Sequence, residues 1–151
     1  MISVTKGHYM AIRQYSAHTK FLFASVAAAL LISGPAVASG DAAKGEKFAK
    51  KRCGACHSFE KGGKHKVGPN LFGVTQRGPA KADGYSYSKH LSKAAAEGFG
   101  WNAEELDLYL TDPTKFLRKK TGNKKARSKM VFKLKKKKDR QNVIAYLESL
   151  K

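Results

Sequence analysis

Little in this sequence alternates. No stretch sustains the polar/apolar period of two long enough to build a sheet, which removes β-sandwich and barrel folds and leaves helices. Nor is there an apolar run of the roughly 20 residues needed to cross a bilayer; Phe21 to Ile32 has only 12. Cysteine occurs twice, at Cys53 and Cys56, too few for a disulfide framework. No second Cys or His pair stands at a spacing suited to closing a zinc site with them. Acids are scarce as well, 11 Asp and Glu against 30 Lys and Arg in 151 residues. Internal repeats are absent, and Lys135 to Lys138 is the one low-complexity run.

What is present begins with an export signal. Residues 1–38 contain no acid and only Lys6, Arg13 and Lys20 as Lys or Arg, and the short apolar run follows. Gly34-Pro35 then breaks the helix, and Ala36-Val37-Ala38 offers the small residues a signal peptidase accepts. Cleavage after Ala38 leaves one domain, 39–151, exported to the periplasm. Retention of the run as an anchor is the alternative. A start at Met10 would give the same product. The domain keeps 27 Lys and Arg against 11 Asp and Glu. Such an imbalance suits acidic protein surfaces or, peripherally, anionic lipid; export disfavours nucleic acid.

The two thiols fall in Cys53-Gly54-Ala55-Cys56-His57. Three residues apart, they can share one helical turn, with an imidazole directly after them: the attachment pattern of a c-type haem. The thiols would add across the two vinyl groups, and His57 would meet the iron. A thioredoxin-type redox pair is the competing reading, but the segment before Cys53 lacks the strands of that fold. On the far face His, Met, Lys or an open position would each mean a different function. The mature chain has one methionine, Met130, which by itself could equally be core filler. His65 and His90 lie in polar surroundings and read as surface residues.

Helical signals complete the picture. Asp41 caps a first helix through Gly45 and Phe48, and a second is expected over roughly Ser86 to Ala96, ended by Gly98. Asn102 and Glu105 make a capping-box variant for a third, which Pro113 stops. Val143, Ile144, Leu147 and Leu150 give a last helix one apolar stripe, which should cross the first. Between Ser58 and Tyr85, glycines with Pro69 and Pro79 predict irregular loop that needs something to wrap.

Taken in order, the strings GDAAKGEKFAKKRCGACHSFEKGGKHKVGPNLFGV, GYSYS, a Trp followed by LDLYLTDPTKFL, and SKMVFKLKKKKDRQNVIAYL resemble the class I cytochromes c, especially bacterial cytochromes c2 and c550, from about Gly40 to Leu150. The resemblance implies an all-α fold wrapped around one covalently bound haem c. It implies Cys53 and Cys56 as the thioether residues, His57 and Met130 as axial ligands, and Pro69 as hydrogen-bond acceptor for His57. Arg77, Tyr87 and Trp101 match positions near a haem propionate, although the aromatics taken alone could be core residues. Tyr109 matches the residue that reaches the methionine sulfur. Ser128 replaces a threonine of the mitochondrial members, keeping the hydroxyl. Ala49 stands where the family's aromatic follows Gly45, with Phe48 one place earlier.

The function so implied is a monomeric one-electron carrier and not an enzyme, working between a bc1-type complex and a terminal oxidase, a photosynthetic reaction centre or a periplasmic dehydrogenase. Lys51, Arg52, Lys64, Lys66, Lys129 and Lys133 are candidates for steering acidic partner surfaces. Two alternatives remain at this point: a peroxidase-like haem enzyme, and a basic polyanion- or lipid-binding protein in which haem is structural.

Overall fold

The computed structural model describes residues 40–151; the signal segment expected over 1–38 lies outside the described residues. Six helices occur among them and no strand: α1 Ala42–Arg52, α2 Val74–Arg77, α3 Lys89–Ala96, α4 Ala103–Thr111, α5 Pro113–Thr121 and α6 Lys137–Ser149. No described helix is long and apolar enough to cross a membrane.

Local chemistry sets the helix ends. The Asp41 carboxylate accepts from the Lys44 amide at 3.0 Å, Ser88 Oγ from Leu91 at 3.1 Å, and Asn102 Oδ1 from Glu105 at 2.8 Å. Each satisfies an amide that has no partner inside its own helix. Ser88 rather than Ser86 supplies the second cap, so α3 starts later than its sequence suggested. Pro113 does end α4, but it also opens α5, a helix the sequence reading did not anticipate. A first-turn position needs no N–H, which makes proline well suited to it. Asp112 serves both helices: it ends α4, and its carboxylate accepts from the Lys115 amide at 2.9 Å.

α1 lies across α6, which also meets α4; α5 meets both α3 and α4. The α1–α6 crossing is close enough that a Cβ on Gly45 would stand 1.9 Å from the Asn142 carbonyl oxygen. The Asp41 amide donates to Asn142 Oδ1 at 2.9 Å, fixing the register. Ala49 is buried at this contact with Phe59 and Tyr146, while Phe48 packs on the main core instead. The small side chain and the neighbouring aromatic thus serve different clusters. Val143, Ile144 and Leu147 are buried as the stripe requires, and Leu150 follows the helix half-buried.

Candidate functional site

The loop after α1, the long irregular segment before α3, α4 and the loop before α6 converge on one cavity of about 240 Å³. Cys53, Cys56, His57, Pro69, Tyr87, Trp101, Tyr109, Ser128 and Met130 all line it, among apolar residues that include Leu71, Leu91 and Leu110. Of the residues expected around the haem, Arg77 alone is not in the lining, although Val74 on the same helix and the adjacent Gly78 are.

α1 delivers the first group. Its last turn carries Lys50, Lys51 and Arg52, charges suited to a helix C-terminus, and Cys53 caps it by donating to the Ala49 carbonyl at 2.7 Å. The amides of Cys56 and His57 both donate to the Cys53 carbonyl at 2.9 Å, a tight turn that presents both sulfurs and the imidazole. Burial, reinforced by the neighbouring Cys56, pushes the Cys53 thiol up to about 11. A redox-active nucleophile needs the opposite shift, so this environment disfavours thiol–disulfide chemistry. No cluster of three or more His, Cys, Asp or Glu suited to a metal ion occurs among the described residues.

His57 Nδ1 lies 2.7 Å from the Pro69 carbonyl oxygen. The carbonyl can only accept, so Nδ1 carries the proton and Nε2 keeps its lone pair. Burial lowers the His57 pKa, against the raising effect of the Pro69 bond and with a smaller lowering by Lys66, which favours the neutral, ligating form. The ring orientation also depends on Gly68, which the sequence reading did not single out. A Cβ there would stand 2.3 Å from His57 Cε1, so only glycine lets the backbone lie against the ring.

His65 is likewise more than a surface residue. Its Nε2 lies 2.6 Å from the Asp83 carbonyl oxygen, and its Nδ1 accepts from the Asn70 amide at 3.0 Å. Buried Asn70 in turn donates to Ser58 Oγ and to the Glu60 carbonyl, both at 2.9 Å. This network gives the segment around Pro69 its shape without regular structure. Polar spacing in sequence carries no sign of such partners.

On the other segments, Tyr109 Oη lies 3.2 Å from Ser128 Oγ, which accepts from the Met130 amide at 3.1 Å. Burial raises the Tyr109 pKa and keeps the phenol protonated. Trp101 is buried against Phe99 and Tyr109, each with ring centroids 4.9 Å away. The Tyr87 hydroxyl accepts from the Ala82 amide at 3.2 Å, leaving its own proton to donate. Arg77 donates to the Phe72 and Asn70 carbonyls, and its buried Nε has no partner among the described residues. An orphaned cationic N–H behind an apolar wall suits a carboxylate group. Apolar lining, two thiols, a neutral imidazole and this cation together fit a haem with its propionates.

Lys51, Arg52, Lys64, Lys66, Lys129 and Lys133 are all exposed, and Lys129 lines the cavity. Lys133 pairs with Asp112 at 2.5 Å, so part of its charge is already compensated.

The comparisons agree with this geometry. The family model for cytochrome c matches residues 42–151. Cytochrome c-550 of Novispirillum itersonii is 60% identical over 112 residues, 74% of this chain and all of the relative. Cytochrome c2 of Rhodospirillum rubrum is 51% identical over 132 residues, 87% of this chain and 97% of the relative. The solved structure of cytochrome c2 from Rhodospirillum centenum superposes with a TM-score of 0.69 at 41% identity, covering 74% of this chain and 98% of that one. The chain belongs to the cytochrome c family, with cytochromes c2 and c-550 among its relatives: an all-α electron-transfer protein, not an enzyme, that carries one covalently attached haem c.

Proposed function

We propose that the chain is a periplasmic carrier whose haem is joined to Cys53 and Cys56 and ligated by His57 and Met130, made with a signal peptide over 1–38 and working as the domain 39–151. The observation that carries this reading is the convergence of those four side chains on one cavity, with His57 Nδ1 already committed to Pro69. The bound haem supplies reversible one-electron exchange at iron. The protein's own part would be to hold the iron through His57 and Met130, leaving substrate no open site, and to exclude water with the apolar wall. Pro69 orients His57; Tyr109 and Ser128 hold the methionine segment; Arg77, Tyr87 and Trp101 would hold the propionates. Thioether ligation favours the ferrous state relative to a second imidazole.

Protein matured with haem in a bacterial periplasm is expected to show a sharp c-type spectrum on reduction and to keep its haem through denaturation and organic extraction. Haem that extracts would overturn the assignment of Cys53 and Cys56 as thioethers.

The partners are acidic surfaces of larger redox proteins: a bc1-type complex as donor, and a terminal oxidase, a reaction centre or a periplasmic dehydrogenase as acceptor. The carrier acts as a monomer, with at most peripheral membrane contact. Such partners must meet and part quickly, which favours a small interface and charge steering over deep burial. Exposed charges are screened over about 8 Å at physiological ionic strength. The second-order rate with a bc1-type complex should therefore fall at least about tenfold between low and high salt. A salt-independent rate would remove the lysines from the docking role.

A further inference from the structure

Met130 sits in a stretch, 122–136, that contains no regular element, so its position depends on the anchors at either end. Upstream, the Lys129 ammonium donates to the Ser86 carbonyl, and two further anchors are longer. Arg118 Nε donates to the Ala126 carbonyl at 3.3 Å, and the Ser128 amide to Thr114 Oγ1 at 3.3 Å. Downstream, one backbone bond is joined by several from a single side chain. The Leu134 amide donates to the Leu110 carbonyl at 2.8 Å. Arg140 then gives one guanidinium nitrogen to the carbonyls of Leu134, at 3.0 Å, and Lys135, at 2.7 Å. Its other two nitrogens grip the Asp107 carboxylate on α4, Nε at 2.8 Å and Nη2 at 3.2 Å.

Arg140 is buried, with only 9% of its side chain exposed, so these charge-assisted bonds act where water competes poorly. The guanidinium fork fastens three elements at once: α6 that carries it, α4 that contributes Tyr109 and Leu110 to the cavity wall, and the chain leaving Met130. We propose that Arg140, with Asp107 as its partner, is a positioning residue for Met130, setting how firmly the thioether is held in the cavity against a competing ligand. This rests on the reading of Met130 as the axial ligand.

The test uses the full haem-loaded protein and imidazole as the competing probe. Arg140→Lys keeps the charge, yet one ammonium cannot make a two-pronged carboxylate contact and reach both carbonyls. Ferric Arg140→Lys is expected to bind imidazole at least tenfold more tightly than the parent, with a lowered reduction potential. Asp107→Asn, which keeps the guanidinium, should shift both in the same direction by less, and it serves if Arg140→Lys does not fold. Asn142→Ala is the control, since it loosens the α1–α6 contact and leaves the Met130 segment untouched; its imidazole affinity should stay within twofold of the parent.

Imidazole affinity and potential at parent values in Arg140→Lys, or in Asp107→Asn if that is the variant measured, would overturn the proposal. So would shifts no larger than those of Asn142→Ala at equal loss of Tm. Absence of the sulfur-to-iron absorption band from the ferric parent is a separate failure, because it removes Met130 as the ligand.

Discussion

Replacing Met130 with alanine is expected to lower the reduction potential by on the order of 0.1 V or more, because axial ligands span most of a volt in haem proteins and a thioether favours the reduced iron. The haem itself should stay, held through Cys53 and Cys56, so the variant separates ligation from attachment. The ferric spectrum should lose its sulfur-to-iron band, and small exogenous ligands should bind where the parent excludes them. Stability should fall too, by roughly 2 kcal/mol for a half-buried methionine that packs on the main core. Redox titration with visible spectroscopy checks all but the last. An unchanged potential with the band intact would make Met130 the core filler that a lone methionine otherwise suggests.

The second large effect lies away from the iron. In a helix, alanine is favoured over glycine by about 1 kcal/mol, so propensity alone predicts that Gly45→Ala stabilises the protein. Packing predicts the reverse. The new methyl carbon would stand 1.9 Å from the Asn142 carbonyl oxygen, 2.5 Å from its carbon and 2.9 Å from Tyr146 Cβ. Two of these atoms belong to the α6 backbone and cannot rotate away, so α1 and α6 must separate. Overpacking of this kind costs about 1–3 kcal/mol or more, and rigid backbone neighbours put it at the upper end, outweighing the propensity gain. Thermal unfolding should show Tm lower by about 10 °C or more, given roughly 4–8 °C per kcal/mol in a domain of this size. Lys47→Ala, on the exposed side of the same helix, should change stability by less than about 0.5 kcal/mol. A Gly45→Ala protein as stable as its parent would mean the crossing is looser than these distances imply.

Both variants probe features of different visibility in the chain. Cys53, Cys56 and His57 were legible at once because haem attachment needs those three side chains within five consecutive residues, and local spacing is what a sequence displays. Caps at Asp41 and Asn102 were legible for the same reason: the acceptor and the amide it serves are three residues apart. α5 was missed because Pro113 was read only as a stop, when the Asp112 carboxylate and a first-turn proline also make a start. The bonds of His65, which is partly exposed, were not legible because its partners, Asp83 and Asn70, are a loop carbonyl and a backbone amide, groups that no pattern marks.

By itself the sequence determined the helical class, the covalent haem motif, the basic charge and the helix starts at Asp41 and Asn102, since each depends on side chains close together along the chain. Met130 became more than one methionine among polar residues through resemblance to a family, not through any local pattern. The tertiary structure decided what faces what: Gly68 against the His57 ring, Gly45 against Asn142, Ser128 between Tyr109 and Met130, and Arg140 joining α4 to the chain beyond Met130. Most of those contacts join residues from 11 to 97 positions apart, and their strength depends on burial and backbone geometry that exist only once the helices have closed around the cavity.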